Sequence, residues 1–324
     1  MNPFKRTVEA ALLLLALAGT TVASAAYPER PVRLIVPFAA GGGTDAWARL
    51  FAARLGTELG QSVLVENRPG ANTQVGATAV ANAEPDGYTL LFTTSTHIQI
   101  PSLVRTLPYD VINDFAPVAQ LGATGLIFAV NPQVKAANMG EFLAEARAAK
   151  NWSVGTYAAG SAGAVFSQAI LKDEGLDIPV IVYKGEAPAI TDVVGGQTQG
   201  GFFSVPSVKS LAQAGKLKPI GNLSATRSPS FPNVPTLLEQ GFSTYRWPGT
   251  WLGVFAPART PEAVLERLTL ATQAVAQNAD FRTEWADRDV VVNWRGPEPF
   301  RQEILADMKT WDDLVHALDI KPEQ

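Results

Sequence analysis

The stretch Arg33-Leu-Ile-Val-Pro-Phe-Ala-Ala-Gly-Gly-Gly-Thr-Asp45 decides the fold of this chain. Its apolar first half is typical of a buried strand, and the three glycines that follow interrupt that strand. Beyond them, Trp47, Phe51 and Leu55 recur at helical spacing, so the stretch predicts a strand, a glycine loop and a helix. Thr44 is the predicted N-cap, because its hydroxyl can accept a hydrogen bond from an amide of the first helical turn.

The glycine loop predicts an anion-binding site. Glycines let the chain approach a ligand closely, and the free amides and positive dipole end of a helix N-terminus favour negative charge. The candidate ligand contacts that follow from this geometry are Gly41, Gly42, Gly43 and Thr44.

The first 26 residues are typical of an export signal. Lys5 and Arg6 precede an apolar run from residue 10 to 19 that is too short to span a bilayer, and Ala23-Ser24-Ala25 offers a cleavage site. We therefore expect a soluble periplasmic protein. The chain contains no cysteine, so the core must hold the fold without disulfides.

Length and charge bound the possible functions. The 324 residues, of which 47% are hydrophobic, suffice for a large core and two domains. With 26 basic and 30 acidic residues, the net charge is −4, and no basic run stands out. Nucleic acid and anionic membrane are therefore not expected as partners.

Strands and helices alternate along the first part of the chain. Strands are predicted at 62–66 and 88–93, with a helix between them that Asn72 caps. This alternation predicts a mostly parallel sheet with helices on both faces. The polar run after the third strand lies at the edge where open α/β sheets bind ligands, and its candidate contacts are Thr94, Ser95 and His97.

A second α/β unit begins in the extended run from Phe115 to Val130. Two crossings, near Gly122–Gly125 and near Trp251–Phe255, would divide the mature chain into two lobes that clamp a ligand. The predicted first lobe is 27–123 with 252–324, and the predicted second lobe is 124–251.

Three side chains of the second lobe are open to two interpretations each. Ser161 is either a simple N-cap or part of a second glycine-flanked anion site that faces the first. Lys184 is either a solvated loop charge or a cation near the ligand. Phe203 is either a core residue or a strand-end aromatic ring that stacks on the ligand.

A dinucleotide-binding fold is the strongest alternative. Gly41, Gly43 and Ala46 fit a G-x-G-x-x-A fingerprint, and Glu66 lies at the end of the second strand. The export signal and the lack of a convincing acid/base constellation argue against an exported NAD(P)-linked oxidoreductase. With only two histidines and no cysteine, the sequence also gives little support to a hydrolase or a metal site.

The segments together resemble the extracytoplasmic receptors of tripartite tricarboxylate transporters, the Bug or TctC-like family. The matching motifs occur in family order over nearly the whole mature chain: Pro31-Val-Arg-Leu-Ile-Val-Pro-Phe38 with Gly41-Gly-Gly-Thr-Asp45, Val65-Glu-Asn-Arg-Pro-Gly70, Pro85-Asp-Gly-Tyr-Thr-Leu90, Leu107-Pro-Tyr-Asp110, Tyr183-Lys-Gly185, Gly195-Gly-Gln197 and Asn233-Val-Pro-Thr236. The resemblance implies two lobes in the periplasmic-binding-protein arrangement, which close on a small carboxylate and hand it to a membrane permease. It also implies ligand contacts at Ala40 and Asp45 beside the glycines of the first lobe, and in the second lobe at Ala159, Gly160, Ser161, Gly163, Phe203 and Ser204.

Two departures from the family pattern concern the ligand. The second-lobe loop, which is usually rich in serine and threonine and ends in histidine, reads Gly-Ser-Ala-Gly-Ala-Val-Phe166 here. Phe202-Phe203-Ser204 stands where relatives often have Phe-Asp-Asn. The resemblance therefore implies a less polar second-lobe wall, and we expect an aromatic or otherwise low-polarity carboxylate to bind better than citrate or aspartate.

We therefore predict a monomeric periplasmic solute receptor, not an enzyme, with a two-lobed α/β fold of the type II-like periplasmic-binding-protein class. Its expected partners are a small organic carboxylate and the permease subunits of a tripartite tricarboxylate-type transporter. We expect no cofactor and no metal.

Overall fold

A computed structural model describes residues 27–149, 151–224, 226–245, 247, 249–317 and 319. The predicted export signal, residues 1–26, lies outside the described residues. No helix of the described part is long and apolar enough to cross a membrane.

The first lobe is built on a six-stranded sheet. Its strands are β1 Val32–Val36, β2 Val63–Asn67, β3 Thr89–Thr94, β4 Phe115–Thr124, β10 Thr250–Pro257 and β11 Val291–Arg295. They lie in the order β11-β4-β10-β3-β1-β2. β1 pairs in parallel with β2 and β3, whereas β10 runs antiparallel to both β3 and β4.

The second lobe is built on a five-stranded sheet. Its strands are β5 Leu126–Val130, β6 Val154–Tyr157, β7 Val180–Tyr183, β8 Gly200–Ser204 and β9 Lys218–Asn222. They lie in the order β7-β6-β8-β5-β9, and β5 is antiparallel to both of its neighbours. The two-lobed α/β fold is confirmed, but both sheets are mixed and not mostly parallel, because strands that return from the other lobe run in the opposite direction.

Helices flank both sheets. In chain order they are α1 Gly43–Leu59, α2 Gln74–Ala81, α3 Thr96–Gln99, α4 Met139–Ala148, α5 Ala162–Asp173, α6 Glu186–Val194, α7 Val205–Gln213, α8 Glu262–Gln277, α9 Ala279–Ala286 and α10 Pro297–Ala317. The inward face of α1 is the one that the spacing predicts, since Trp47, Phe51 and Leu55 are all buried. Removing such side chains from water is the main contribution that holds the helix on its sheet.

Two short crossings connect the lobes. Gly125 alone separates β4 from β5, and a side chain there would meet the hydroxyl of Ser224. The second crossing lies immediately before β10, at Gly249, whose φ is +113°. The predicted second crossing at Trp251–Phe255 is therefore placed a few residues too late: β10 begins at Thr250 and is buried over its whole length.

The C-terminal helix α10 provides a third connection. Phe300 and Ile304 belong to a first-lobe core cluster with Trp251. About two turns beyond Ile304 along α10, Trp311 belongs to a cluster that consists mainly of second-lobe residues. The helix thus lies across both lobes and limits how they can rotate relative to each other.

Candidate functional site

The glycine loop after β1 has no side-chain cap. Helix α1 begins at Gly43, and its N-cap is Gly42, with an extended backbone at φ −84° and ψ 174°. Gly41 has a φ of +84°, a conformation that favours glycine. The predicted N-cap Thr44 is therefore wrong: this residue lies inside the first turn, where its backbone is helical and cannot take the capping position.

Asp45 belongs to the scaffold of the loop. Its carboxylate accepts hydrogen bonds from the Gly41 amide at 3.0 Å, from Asn67 Nδ2 at 2.9 Å and from Arg49 Nε at 3.0 Å. Burial opposes ionisation of Asp45, but the hydrogen bonds and the charge of Arg49 outweigh it and lower the pKa. Both carboxylate oxygens are occupied internally, so the structure does not bear out Asp45 as a ligand contact.

A carboxylate from the other lobe lies at the N-terminus of α1. Glu186 Oε2 accepts a hydrogen bond from the Gly43 amide at 3.1 Å. The same oxygen accepts from the hydroxyls of Ser204 and Ser207 at 2.7 Å each, and Oε1 accepts from the Ser204 amide at 2.5 Å. The sequence predicts an anion here, and the structure supplies one from the chain itself. Ser204 thus contacts Glu186 and holds it in place.

The corresponding helix in the second lobe caps itself. Ser161 is the N-cap of α5: its hydroxyl accepts from the Ala164 amide at 3.2 Å and donates to the Tyr157 carbonyl at 2.6 Å. The simple N-cap interpretation is therefore confirmed. Gly160 lies against Ile100 of the first lobe, where an added Cβ would be 3.2 Å from the Ile100 Cα. The loop thus touches the opposite lobe through backbone and not through hydroxyls.

The run after β3 does not direct its histidine toward the other lobe. His97 is buried in a cluster where its ring stacks on Tyr109 at 6.0 Å and meets the edge of Phe115 at 4.7 Å. Burial lowers the pKa of His97 to about 4, so the ring is neutral at neutral pH. The structure places the predicted ligand contact His97 in the first-lobe core and not in the lining of the cavity between the lobes, because the short helix α3 turns the side chain inward.

Thr94 and Ser95 are also engaged within the first lobe. Thr94 Oγ1 donates to Thr96 Oγ1 at 3.1 Å, and Ser95 Oγ donates to Thr250 Oγ1 at 3.4 Å. Both side chains are buried. The Ser95 hydroxyl thus links the carboxyl end of β3 to β10, while Thr94 bonds to the start of α3.

Phe203 is a core residue. Its side chain is fully buried, and its ring lies back over Gly201, where an added Cβ would approach ring atom Cζ to 2.8 Å. The ring therefore points toward the start of β8 and away from the edge that faces the other lobe. The expectation of an aromatic ligand depended on Phe203 lying in the wall of the cleft, and the position of the ring removes that support.

A cavity lies between the lobes beside the glycine loop and the end of β7. Its volume is about 140 Å³. First-lobe residues line one side and second-lobe residues the other: Pro37, Phe38, Gly70, Ala71, Asn72, Thr73, Ala158, Val182, Tyr183 and Lys184. Among these described lining residues, Lys184 is the only one with a charged side chain, which gives the cavity a positive end.

Backbone strain is concentrated around this cavity. Ala71, Asn72 and Thr73 have φ values of +44°, +51° and +77°, and Ala158 across the cavity has +48°. Each such residue costs about 1–3 kcal/mol and persists only where the surrounding structure enforces it, often at a functional site. The prediction of Asn72 as a helix cap is wrong: α2 begins at Gln74, and Asn72 Oδ1 instead accepts from the Ala159 amide of the other lobe at 3.0 Å.

The lobes are in direct contact around the cavity. The rings of Phe38 and Tyr157 meet edge to face at 6.2 Å. Gly185 packs so closely on Ala39 that an added Cβ would lie 2.8 Å from the Ala39 amide nitrogen. These contacts show that the two lobes are closed on each other.

Tyr183 is one of the residues that line the cavity. It donates to Asp192 at 2.5 Å, and burial together with Asp192 raises the pKa of Tyr183 to about 12.

The sheet order argues against the dinucleotide fold. In a Rossmann sheet the second strand lies between the first and the third. Here β3 lies on the other side of β1 and β2 is the edge strand. Glu66, the residue predicted for a ribose, is paired with Arg68 at 2.6 Å. Among the described residues, no group of three or more potential ligands could hold a metal.

Comparisons with known proteins agree with this geometry. The protein BugT of Bordetella pertussis is 31% identical over 320 residues, which cover 95% of this chain and 98% of BugT. A solved R. palustris protein with adipate is 29% identical with a TM-score of 0.86, covering 92% of this chain and 100% of that protein. MatC from Rhodopseudomonas palustris, solved with bound malate, is 30% identical with a TM-score of 0.84, covering 89% and 100%.

The family model described as the tripartite tricarboxylate transporter family receptor matches residues 47–320. The match takes in most of both sheets, the crossings between the lobes and the C-terminal helix. The chain therefore belongs to the family of periplasmic solute-binding receptors of tripartite tricarboxylate transporters.

Proposed function

We propose that this receptor captures a small organic carboxylate in the cavity between its lobes, releases it unchanged, and delivers it to the membrane permease of a tripartite tricarboxylate-type transporter. The proposal is supported by two relatives whose solved structures contain adipate and malate. Both ligands are small organic acids.

The cavity at Lys184 is the observation that carries the proposal. Lys184 supplies a positive charge, and the cavity has no acidic side chain among its described lining residues. Asn72 and Thr73 add polar groups from the opposite lobe. A carboxylate bound there would contact both lobes, so its binding energy would favour the closed conformation.

The remaining predicted contacts would line the cleft around the ligand with backbone atoms. The glycine loop from Ala40 to Gly43 brings backbone close to the second lobe, and Ala159 and Gly160 bring backbone close to the first. We propose that the two lobes, predicted as 27–123 with 252–324 and as 124–251, move apart to admit the ligand about Gly125 and Gly249. The predicted boundaries then move by a few residues to these two glycines, so that the whole of β4 and β10 stays with the first lobe.

We also propose that residues 1–26 are removed on export, which would place the mature receptor in the periplasm. Mass spectrometry of the protein isolated from a periplasmic fraction tests this proposal. Cleavage after Ala25 would leave 299 residues of the 324 in the sequence. An intact N-terminus in that fraction would contradict it.

A thermal-shift screen of mono-, di- and aromatic carboxylates tests the function. A ligand that binds only the folded state raises the melting temperature, so at least one carboxylate should do so at millimolar concentration or below. Amines and neutral sugars should have no effect. If no carboxylate in a broad panel raises the melting temperature, the proposed function is wrong.

Lys184→Ala locates the site. Lys184 is exposed, so its charge is partly screened and worth about 1 kcal/mol. Affinity for the best acid should therefore fall about tenfold or less, as measured by titration calorimetry. The matched control is Lys216→Ala, an exposed lysine remote from the cavity lining, which should leave the affinity unchanged. Equal effects of the two variants would contradict the location.

A further inference from the structure

Glu186 is a buried carboxylate shared between the lobes. Its side chain belongs to the first residue of α6 in the second lobe, and Glu186 is only 6% exposed. One of its hydrogen bonds comes from the first lobe, from the Gly43 amide, and the others come from Ser204 and Ser207. These contacts place a negative charge at the N-terminus of α1.

Among the described residues, no cation forms a salt bridge with Glu186. Backbone amides and hydroxyls stabilise it instead, in the manner of an anion bound at a helix N-terminus. A second carboxylate brought to this point would meet a like charge where water is largely excluded, and like charges in such surroundings repel strongly.

The Glu186 site is next to the ligand cavity. Lys184 lines the cavity and Gly185 packs on Ala39, while Phe38 lines the same cavity from the first lobe. The contact between Ala39 and Gly185 therefore forms the boundary between the cavity and the Glu186 carboxylate. A ligand whose carboxylate is held near Lys184 and whose chain extends toward this boundary brings its far end close to Glu186.

We infer that Glu186 makes this receptor selective for monocarboxylates over dicarboxylates of the same chain length. The cleft contains two positions suited to an anion, at the N-terminus of α1 and at Lys184, and Glu186 occupies the first. This inference rests on the proposed function, and it concerns this chain and not the family, since relatives have been solved with the dicarboxylates adipate and malate.

Matched pairs of acids test the inference by titration calorimetry. Each monocarboxylate that binds in the thermal-shift screen is paired with the acid that carries a carboxylate in place of its terminal methyl group, such as hexanoate with adipate. Each dicarboxylate that binds is likewise paired with the monocarboxylate that carries a methyl group in place of one carboxylate. The wild-type receptor should bind the monocarboxylate of a pair at least tenfold more tightly.

Two variants then assign the selectivity to Glu186. Glu186→Ala vacates the N-terminus of α1, so the dicarboxylate should gain at least tenfold relative to its monocarboxylate partner. Glu186→Gln keeps the volume but removes the charge, so the preference should shrink and not reverse. Glu266→Gln, at an exposed position of α8, is the charge-matched control and should retain the wild-type ratio.

The outcomes separate this inference from the proposed function. A wild-type receptor that binds dicarboxylates as tightly as their partners, or more tightly, overturns the selectivity while the receptor function stands. An unchanged ratio in the Glu186 variants that fold also overturns the role of Glu186 and leaves the receptor function intact. A wild-type receptor that binds no carboxylate overturns both proposals.

Discussion

The helices α1 and α5 begin in the same way in sequence and differently in structure. Each follows a buried strand and a glycine-containing loop, and each lies at the edge where the two lobes meet. Ser161 caps α5 from within its own loop. The first turn of α1 has no side-chain cap, and its Gly43 amide donates to Glu186 of the other lobe. A helix start without its own cap leaves amides that a partner must satisfy, so α1 is the one that depends on lobe closure.

Gly43→Ala should produce the largest effect. An added Cβ would lie 2.1 Å from Ser204 Oγ and 2.9 Å from Ser204 Cβ, so the substitution opposes closure. Overpacking of this kind costs about 1–3 kcal/mol, and ligand affinity should therefore fall roughly 5- to 150-fold. Calorimetry measures the affinity, and small-angle scattering should show a larger radius of gyration.

The control for Gly43→Ala is Gly163→Ala in α5. There an added Cβ would meet Phe202 of the same lobe, 3.1 Å from its Cβ, so the substitution strains one lobe and not the interface. Affinity should change less than in Gly43→Ala. An equal loss in the two variants would show that α1 and α5 do not differ in their dependence on the other lobe.

His97→Phe tests whether the run after β3 belongs to the core and not to the cleft. The folded pKa of about 4 is below the ordinary value of 6.5, so unfolded protein binds more protons and stability falls as pH drops from about 6.5 to 4. At pH 5 the penalty is about 2 kcal/mol relative to pH 8. Phenylalanine should remove it, as measured by denaturant unfolding at both pH values, without changing ligand affinity. If the free energy of unfolding depended on pH equally in wild type and variant, the assignment of His97 to the core would be contradicted.

Ser161→Ala should lower the free energy of unfolding by about 1 kcal/mol. The hydroxyl caps the Ala164 amide and donates to the Tyr157 carbonyl, and loss of a serine cap costs about 0.5–2 kcal/mol. Urea unfolding measures the change. A variant as stable as wild type would show that α5 does not cap itself.

Thr44→Ala should have the smallest effect. Thr44 lies inside the first turn of α1, and the N-cap is Gly42. We expect a change in unfolding free energy below about 0.5 kcal/mol, since alanine is a good helix former. A loss as large as that of Ser161→Ala would indicate that Thr44 caps the helix after all.

The local elements of this site could be predicted from sequence, and their partners could not. The strand, the glycine loop and the inward face of α1 follow from periodicity, and Ser161 is recognisable as an N-cap. The contact between Gly43 and Glu186 joins residues 143 positions apart, and no local pattern indicates it. Phe202 and Phe203 are both apolar and both buried, so alternation could not tell which face either occupies.

The strained segment from Ala71 to Thr73 is the clearest feature that sequence reasoning misses. Residue type alone favours Asn72 as a cap. Asparagine tolerates a left-handed backbone, but the neighbouring Ala71 and Thr73 adopt it too, and these residue types rarely do so. The Asn-Arg-Pro-Gly run before this segment is a signal for an unusual turn.

A crystal structure of the receptor with its tightest-binding carboxylate tests the central claim most directly. We expect the ligand carboxylate to lie within hydrogen-bonding distance of Lys184 Nζ or Asn72, while Glu186 still accepts from the Gly43 amide. A ligand carboxylate bound to the Gly43 amide, with Glu186 displaced from the N-terminus of α1, would contradict it.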